Sequence, residues 1–143
     1  MRPGRAARRT LISYLDTSAV AKLLADEVET NALRAHLDDR VASGDADLVS
    51  AFLLESELRQ MATRTGIPQT AVPDVLSRLS LLDMDRSVFR DAGLLIGANL
   101  RSLDALHIAA ALHAGANEFI TYDTRQQEAA GAVGLLVRTP GRS

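Results

Sequence analysis

The sequence predicts an α/β fold with a single domain built around a parallel β-sheet, and three observations lead to this prediction. Short apolar stretches alternate along the chain with longer stretches of helical periodicity. The first apolar stretch, residues 11–15, carries apolar side chains at 11, 12, 14 and 15, as a strand covered on both faces does. Asp16 follows it directly, and open parallel sheets bind their ligands at the ends of such strands.

Start and stop signals separate the elements of the first half of the chain. Thr17 and Ser18 are favoured N-cap residues, so we expect a short helix to begin just after them. A single apolar stripe marks the second helix, while Gly66 and Pro68 end the third. In chain order we expect a strand at 11–15, helices at 19–25 and 29–42, a strand at 47–50 and a helix at 52–65.

The second half of the chain continues the same alternation. Pro68 or Pro73 opens a further helix that reaches about Leu79. Gly115 and Gly131 each end a later helix, and the one before Gly115 is apolar almost all round, which indicates a central position. In chain order we expect a strand at 81–84, a helix at 87–96, a loop at 97–101, a helix at 102–114, a strand at 118–122, a helix at 124–130 and a strand at 135–137.

The composition limits the possible functions. The chain has 143 residues, 47% of them apolar, which suits one folded domain. It has no cysteine, so disulfides, thiolate zinc sites and cysteine nucleophiles are excluded. No apolar run approaches a membrane span, and no signal-peptide core follows the basic N-terminus, so we expect a cytoplasmic protein without membrane contact. We divide the chain into a flexible basic arm at 1–10 and a domain at 11–140.

Charge and aromatic content do not indicate a general nucleic-acid binder. The net charge is −2, and Phe, Trp and Tyr make up only 3% of the residues. A base-stacking sheet like that of RNA-recognition domains is therefore not expected. Lys22 is the only lysine, so arginine supplies almost all of the positive charge. Arginine suits bidentate phosphate contacts, although a GC-rich genome is the simpler explanation.

Three aspartates occupy positions that suit a ligand-binding site. Asp16 and Asp123 each follow a predicted strand, so they converge on one crevice if the two strands are neighbours. Asp104 lies near the start of the most apolar helix, where a buried carboxylate must be paired, hydrogen-bonded or metal-bound. Helix capping is the alternative explanation for all three.

Two glutamates on the helix at 52–65 are further candidates. Glu55 and Glu57 point about 200° apart around the helix axis and flank its apolar stripe from opposite sides. The periodicity therefore does not choose between them. Several carboxylates without a cysteine favour a hard cation, Mg²⁺ or Mn²⁺, and such a site suits phosphodiester hydrolysis.

Other catalytic arrangements have less support. His36, His107 and His113 are too scattered for a zinc motif. His107 lies three residues after Asp104, but we interpret it as a hydrogen-bonded core histidine. The chain contains neither a nucleophile elbow nor a glycine-rich phosphate loop.

Four short segments occur in a specific order and spacing. They are YLDTSA at 14–19, LLESELR at 53–59, RSLDALHIA at 101–109 and FITYD at 119–123. Together they resemble PIN-domain ribonucleases, and most closely the VapC toxins of bacterial type II toxin–antitoxin pairs. The resemblance covers essentially all of the chain after the arm.

This resemblance implies a three-layer α/β/α PIN-like fold with a central parallel sheet of strand order 3-2-1-4-5. It selects Glu57 over Glu55 and implies an acidic set of Asp16, Glu57, Asp104 and Asp123. It further implies a metal-dependent endoribonuclease, which is a hydrolase. Asp16 and Asp104 would bind Mg²⁺ or Mn²⁺ directly, while Glu57 and Asp123 would hold metal-bound waters or a second ion.

The resemblance also implies partners: an RNA substrate such as tRNA or rRNA, a small cognate antitoxin protein, and a second copy in a homodimer. Thr17 or Ser18 would hydrogen-bond a ligand carboxylate or a phosphate. Arg59, Arg101 and Arg125 would contact the RNA backbone or remain solvated. Two other functions stay open, a non-toxin PIN nuclease in RNA processing and a catalytically silent binding module. The intact acids argue against the silent module, and the compact size favours the toxin.

Overall fold

A computed structural model describes residues 10–95 and 100–142 of the chain. Within these residues a single sheet contains five parallel strands in the order β3-β2-β1-β4-β5, as predicted. The strands are β1 Leu11–Leu15, β2 Ala46–Ala51, β3 Ser80–Leu82, β4 Glu118–Ile120 and β5 Val137–Arg138. The helices are α1 Thr17–Leu24, α2 Thr30–Ala42, α3 Leu53–Thr65, α4 Ala71–Leu76, α5 Arg86–Leu94, α6 Ser102–Ala114 and α7 Thr124–Ala132.

Helices cover both faces of the sheet, which gives the three layers. Helices α1 to α4 pack on one face around Leu15 and Ile120, and helices α5 to α7 pack on the other around Tyr14 and Phe119. Successive residues of β1 and β4 thus enter different cores, which explains why both strands are apolar at consecutive positions. Leu15 is aligned with Ile120, so the C-terminal ends of β1 and β4 lie side by side.

The start of α1 corrects the predicted cap. The prediction that Thr17 or Ser18 caps this helix is wrong, because α1 already includes both residues. Asp16 is the N-cap, and its side chain accepts a hydrogen bond from the backbone N–H of Ala19 at 3.1 Å. The structural alternative considered for Asp16 is therefore correct, but it does not exclude a second role.

The end of α7 corrects two further predictions. Gly131 does not end this helix, which continues beyond it. The chain reverses at Gly134, whose φ of 91° lies in the left-handed region. The N–H groups of Gly134 and Leu135 form the paired backbone hydrogen bonds of a Schellman motif. Leu135 is buried because it closes this helix end, so the strand predicted at 135–137 begins only at Val137.

The other bounds agree with prediction to within a few residues. The strand predicted at 81–84 is shifted to Ser80–Leu82, and β4 ends at Ile120 because its pairing with β1 ends there. The helix expected up to Leu79 is confined to α4. The basic arm up to residue 9, the last residue of the helix predicted at 87–96 and residues 97–99 of the predicted loop lie outside the described residues. None of the described helices is long and apolar enough to cross a membrane.

A group of polar side chains surrounds the start of β4, at the edge of the sheet opposite to the C-terminal ends of β1 and β4. Glu118 is 3% exposed and accepts hydrogen bonds from Ser13 Oγ at 2.7 Å and Arg40 at 3.2 Å. His36 Nε2 lies 2.9 Å from the same carboxylate. Burial alone would raise the pKa of Glu118, but the bonds from Ser13 and His36 and the charge of Arg40 hold it below its usual value. We call these four residues the Glu118 cluster; it joins α2 to the sheet.

Candidate active site

Acidic residues from three elements lie at the C-terminal edge of the sheet. Asp16 directly follows β1, and Asp123 lies three residues after the end of β4. The backbone N–H of Asp16 donates to the carbonyl of Ile120 at 3.2 Å, so the two strand ends remain paired up to the acid. Helix α6 reaches the same edge, because the side-chain amide of Gln126 in α7 donates to the backbone carbonyl of Asp104 at 3.1 Å.

Asp16 is a buried carboxylate held by neutral donors. It is 4% exposed. Its Oδ1 accepts from Ser18 Oγ at 2.7 Å and from the N–H of Ala19 at 3.1 Å, and its Oδ2 accepts from Thr121 Oγ1 at 2.6 Å. Burial raises the pKa of Asp16, and the neighbouring His107 and these hydrogen bonds offset only part of that increase.

Glu57 faces the site, and Glu55 does not. Glu57 Oε1 accepts a hydrogen bond from Thr17 Oγ1 at 2.6 Å and lies 2.9 Å from His107 Nε2. Glu55 instead pairs with Arg59, four residues later on the same helix, at 2.9 Å. This geometry distinguishes the two glutamates, which the helical periodicity left equivalent. The role of Glu57 as a site residue remains a prediction.

Asp104 and Asp123 are close enough for their negative charges to interact. Burial raises the pKa of Asp104, the charge of Asp123 raises it further, and Arg101 acts in the opposite direction. Asp123 is also the N-cap of α7, where it accepts from the backbone N–H of Arg125 at 2.9 Å. Asp104 lies in the first turn of α6 and Asp123 caps α7, and both add negative charge to the same edge of the sheet.

The five residues predicted to bind ligands or RNA fall into two groups. Thr17 and Ser18 donate their hydroxyl hydrogen bonds to site carboxylates, Glu57 and Asp16, so the first of the two predicted roles is the one the contacts support. Among the arginines, Arg59 is engaged by neighbours on and beside α3. Arg101 and Arg125 are exposed at the first turns of α6 and α7, next to the aspartates.

The donor atoms at this edge fit a hard divalent cation, because they are carboxylate and hydroxyl oxygens. Within residues 10–95 and 100–142, no three His, Asp or Glu side chains are grouped closely enough to surround an ion on their own. Mg²⁺ keeps several of its waters and needs only one or two direct carboxylates. The observed spacing is therefore compatible with a hydrated ion that some acids contact through water.

Comparison with known protein families shows which family the chain belongs to. The PIN domain family model matches residues 13–132, which include all four acids. The chain belongs to the PIN-domain family. As a PIN domain it is similar to Ribonuclease VapC35 of Mycobacterium tuberculosis, with 40% identity over 136 residues that cover 91% of this chain and 98% of the relative. Ribonuclease VapC46 of the same species is 36% identical over 134 residues, which cover 89% of this chain and 96% of the relative.

Solved structures confirm the fold of this PIN domain. The structure of VapBC2 from Rickettsia felis bound to a promoter DNA fragment matches with a TM-score of 0.68 and 16% identity, covering 90% of this chain and 98% of that chain. A toxin–antitoxin complex from Klebsiella pneumoniae matches with a TM-score of 0.67 and 19% identity, covering 90% and 97%. The predicted three-layer arrangement and strand order are thereby confirmed.

Two further residues contact acids of the candidate site and are not among the residues that the sequence predicts for it. His107 is buried and hydrogen-bonded, as we predicted for a core histidine, but one of its partners is Glu57. Thr121 was not singled out, although its hydroxyl donates to Asp16. A hydroxyl residue two positions before a strand-end aspartate is the one sequence signal that points to Thr121. Thr121 directly follows Ile120, which is aligned with Leu15, and so lies beside Asp16.

Proposed function

We propose that this PIN domain is a metal-dependent endoribonuclease that acts as the toxin of a type II toxin–antitoxin pair. The observation that carries the proposal is Asp16, a buried carboxylate with neutral partners at an edge that also holds Glu57, Asp104 and Asp123. The choice of RNA as substrate is supported by the names of the similar proteins, Ribonuclease VapC35 and Ribonuclease VapC46.

A cation at this edge would offset the free-energy cost of burying negatively charged carboxylates in the folded chain. Burial raises the pKa of Asp16, and burial together with Asp123 raises that of Asp104. In the described part of the chain, none of the four acids forms an ion pair with a lysine or an arginine. Carboxylates that are buried without a positive partner lower stability, and such groups occur preferentially at functional sites.

The four acids would divide the work of the site. Asp16 and Asp104 would bind Mg²⁺ or Mn²⁺ directly, while Glu57 and Asp123 would hold metal-bound waters or a second ion. When bound, the cation lowers the pKa of a water and stabilises negative charge on the phosphate. Glu57 or Asp123 would accept a proton from the attacking water. Thr17 would hold the Glu57 carboxylate during this step, as it does in the structure.

Two exposed arginines are placed to bind the RNA backbone. Arg101 precedes α6 and Arg125 lies in the first turn of α7, so each is within a few residues of a site aspartate. Their guanidinium groups would contact phosphates on either side of the cleaved bond, because arginine binds phosphate in a bidentate manner. Arg59 is the weaker candidate, since Glu55 already engages it.

The metal requirement can be tested with the purified chain and cellular RNA. We expect cleavage with Mg²⁺ or Mn²⁺, loss of cleavage in EDTA, and recovery when the cation is restored. Asp104→Asn is expected to lower the rate at least about 100-fold, which is the effect of removing one electrostatic group from a catalytic site. Asp39→Asn is the matched control, because Asp39 is exposed on α2 and away from the strand ends. Full cleavage in chelator would contradict the metal mechanism.

The toxin role requires a protein that keeps the nuclease inactive. The structures from Rickettsia felis and Klebsiella pneumoniae are toxin–antitoxin complexes, which supports a small antitoxin as the partner of this chain. We propose that an arginine or lysine of the antitoxin reaches toward Asp16 and Asp104 and competes with the cation there by mass action. We also propose that the chain forms a homodimer, which light scattering on the purified protein would detect.

Expression in cells tests the partner. Induction of the chain alone is expected to arrest growth, and co-expression of the small protein encoded next to it is expected to relieve the arrest. Deletion of the C-terminal segment of that small protein should restore the arrest. If no neighbouring product binds the chain while its RNA cleavage persists, the nuclease acts in RNA processing and the toxin role is wrong.

A further inference from the structure

We propose that His107 is a positioning residue, which acts by holding the Glu57 carboxylate in the orientation that the site requires. This inference rests on the proposed function. His107 lies one turn after Asp104 on α6 and is 2% exposed, so its ring is fixed inside the domain. Glu57 lies on α3, and the contact of its carboxylate with the imidazole joins α3 to α6.

Each nitrogen of the His107 ring has its own partner. Nε2 lies 2.9 Å from Glu57 Oε1 and 3.0 Å from Thr17 Oγ1. A carboxylate only accepts hydrogen bonds, so Nε2 carries the hydrogen and donates it. Nδ1 lies 2.7 Å from the Tyr14 hydroxyl, which donates to it in the neutral ring. These contacts fix both the tautomer and the orientation of the imidazole.

The residue behind His107 is rigid. Tyr14 is fully buried in β1, and its ring stacks on Phe119 of β4 with centroids 5.4 Å apart and an interplanar angle of 4°. His107 packs against the edge of Tyr14 at 5.7 Å. The position of the Nε2 donor is thus set by the two central strands of the sheet. Rotation of the imidazole would require movement in the core, which is closely packed.

This contact leaves one oxygen of Glu57 available. Both hydrogen bonds to this carboxylate, from Thr17 and His107, end on Oε1. Among the described residues, no donor reaches Oε2. Two donors on one oxygen fix the plane of the carboxylate and leave the other oxygen for a cation or its water. Side chains that orient a ligand in this way typically change metal affinity by 10- to 100-fold when removed.

Two amide substitutions separate this role from a structural one. The amide of Gln in His107→Gln occupies the place of Nε2 and can still donate to Glu57, but it loses Tyr14. The amide of Asn in His107→Asn occupies the place of Nδ1 and keeps Tyr14, but it cannot reach Glu57. Both variants are neutral and both lose the ring, so their effects on packing are similar. If His107 only filled space in the core, the two substitutions would have similar effects on metal binding.

Manganese binding to the full chain, measured by calorimetry, is the readout. We expect His107→Gln to bind Mn²⁺ within about threefold of the unchanged protein and His107→Asn to bind about tenfold more weakly. His113→Gln is the control, because His113 lies on the same helix, pairs with Asp91 at 2.6 Å and is part-exposed. Melting curves in EDTA establish that each variant is folded.

A double-mutant cycle tests whether His107 acts through Glu57. In a Glu57→Gln background the difference between the Gln and Asn variants at position 107 should disappear, because the group that His107 positions is gone. Equal Mn²⁺ affinities of the two single variants, or a difference that persists without Glu57, would overturn the inference. Failure of the unchanged protein to bind Mn²⁺ or to cleave RNA would instead overturn the proposed function. If the Asn variant does not fold, a loss of Mn²⁺ affinity in His107→Gln, which keeps a donor to Glu57, would overturn the inference.

Discussion

Asp16 combines two demands on one side chain. As the N-cap of α1 it needs an acceptor oxygen, which an asparagine also supplies. In the proposed metal site it needs a negative charge in a buried place, which the aspartate supplies and an asparagine does not. The first demand stabilises the domain, whereas the second destabilises it when no cation is bound, because burial raises the pKa of Asp16.

Asp16→Asn is therefore expected to abolish cleavage and growth arrest while raising the melting temperature in EDTA by a few degrees. The folded pKa lies above the unfolded one, so the penalty appears as the pH rises through the unfolded pKa and is complete above the folded pKa. At neutral pH the asparagine removes this penalty, and its side-chain oxygen still accepts the hydrogen bonds from Ser18 and Ala19. Each kcal/mol corresponds to roughly 4 °C in a chain of this size.

The comparison is made by melting both proteins in EDTA and again with Mn²⁺. Bound cation is expected to raise the melting temperature of the unchanged protein much more than that of the variant. A variant that melts below the unchanged protein in EDTA, or that still arrests growth, would contradict this role of Asp16. Asp39→Asn again serves as the control, with no expected change in either condition.

The candidate site could be predicted from the sequence only in part. Asp16 and Asp123 follow strands, so their position was visible in the pattern, and the PIN-domain resemblance selected Glu57. The distinction between Glu57 and Glu55 is physical in the structure, because it depends on His107, which is 50 residues away in the sequence. This contact joins two helices that lie on opposite faces of the sheet, so it leaves no local signal in the sequence.

At the scale of elements, α7 shows why helix ends are hard to predict. Two glycines lie within four residues, and either of them suits a helix end by composition. Gly131 has helical backbone, and a Cβ added there would have no atom within 4 Å, whereas Gly134 has a φ of 91°. The hydrogen bond from the N–H of Leu135 to the carbonyl of Ala130 decides between them, at 3.1 Å.

Alanine at these two glycines is expected to have opposite effects on stability. Gly131→Ala should raise the free energy of unfolding by about 0.5–1 kcal/mol, because alanine favours the helix and meets open space. Gly134→Ala should lower it by about 1–2 kcal/mol, because a side chain is strained in the left-handed region. Urea unfolding of the two variants measures both. Equal changes in the free energy of unfolding would show that the helix ends elsewhere. RNA cleavage by both variants should be unchanged.

At the scale of the whole molecule, β1 and β4 carry different chemistry at their two ends. The C-terminal ends lead to the site acids, and the start of β4 holds the Glu118 cluster. The strands themselves could be predicted from their apolar residues. The Glu118 cluster could not, since Glu118 and its partner Ser13 are 105 residues apart and each is an ordinary surface residue by type.

Glu118→Gln is expected to lower the free energy of unfolding by roughly 1–3 kcal/mol at neutral pH. The value is below the 3–5 kcal/mol of a fully buried pair because Arg40 and His36 remain partly in solvent. The folded pKa of Glu118 is below the unfolded one. Its contribution is therefore present above the unfolded pKa and is lost as the pH falls through the folded pKa.

The check is denaturant unfolding of both proteins between neutral and acid pH. The difference between them should shrink as the pH falls below the usual pKa of glutamate, 4.5. A difference that stays constant into acid would assign the effect to lost packing rather than to the charge of Glu118.

The separation of the Glu118 cluster from the site acids also offers a conditional allele. A variant destabilised at the start of β4 keeps every acid at the other end of the sheet, so its molecules that are folded should cut RNA at the normal rate. Warming would deplete the folded fraction, and cooling would restore it. Cells carrying Glu118→Gln should then grow when warm and stop dividing when cooled, which would allow the gene to be propagated without its inhibitor.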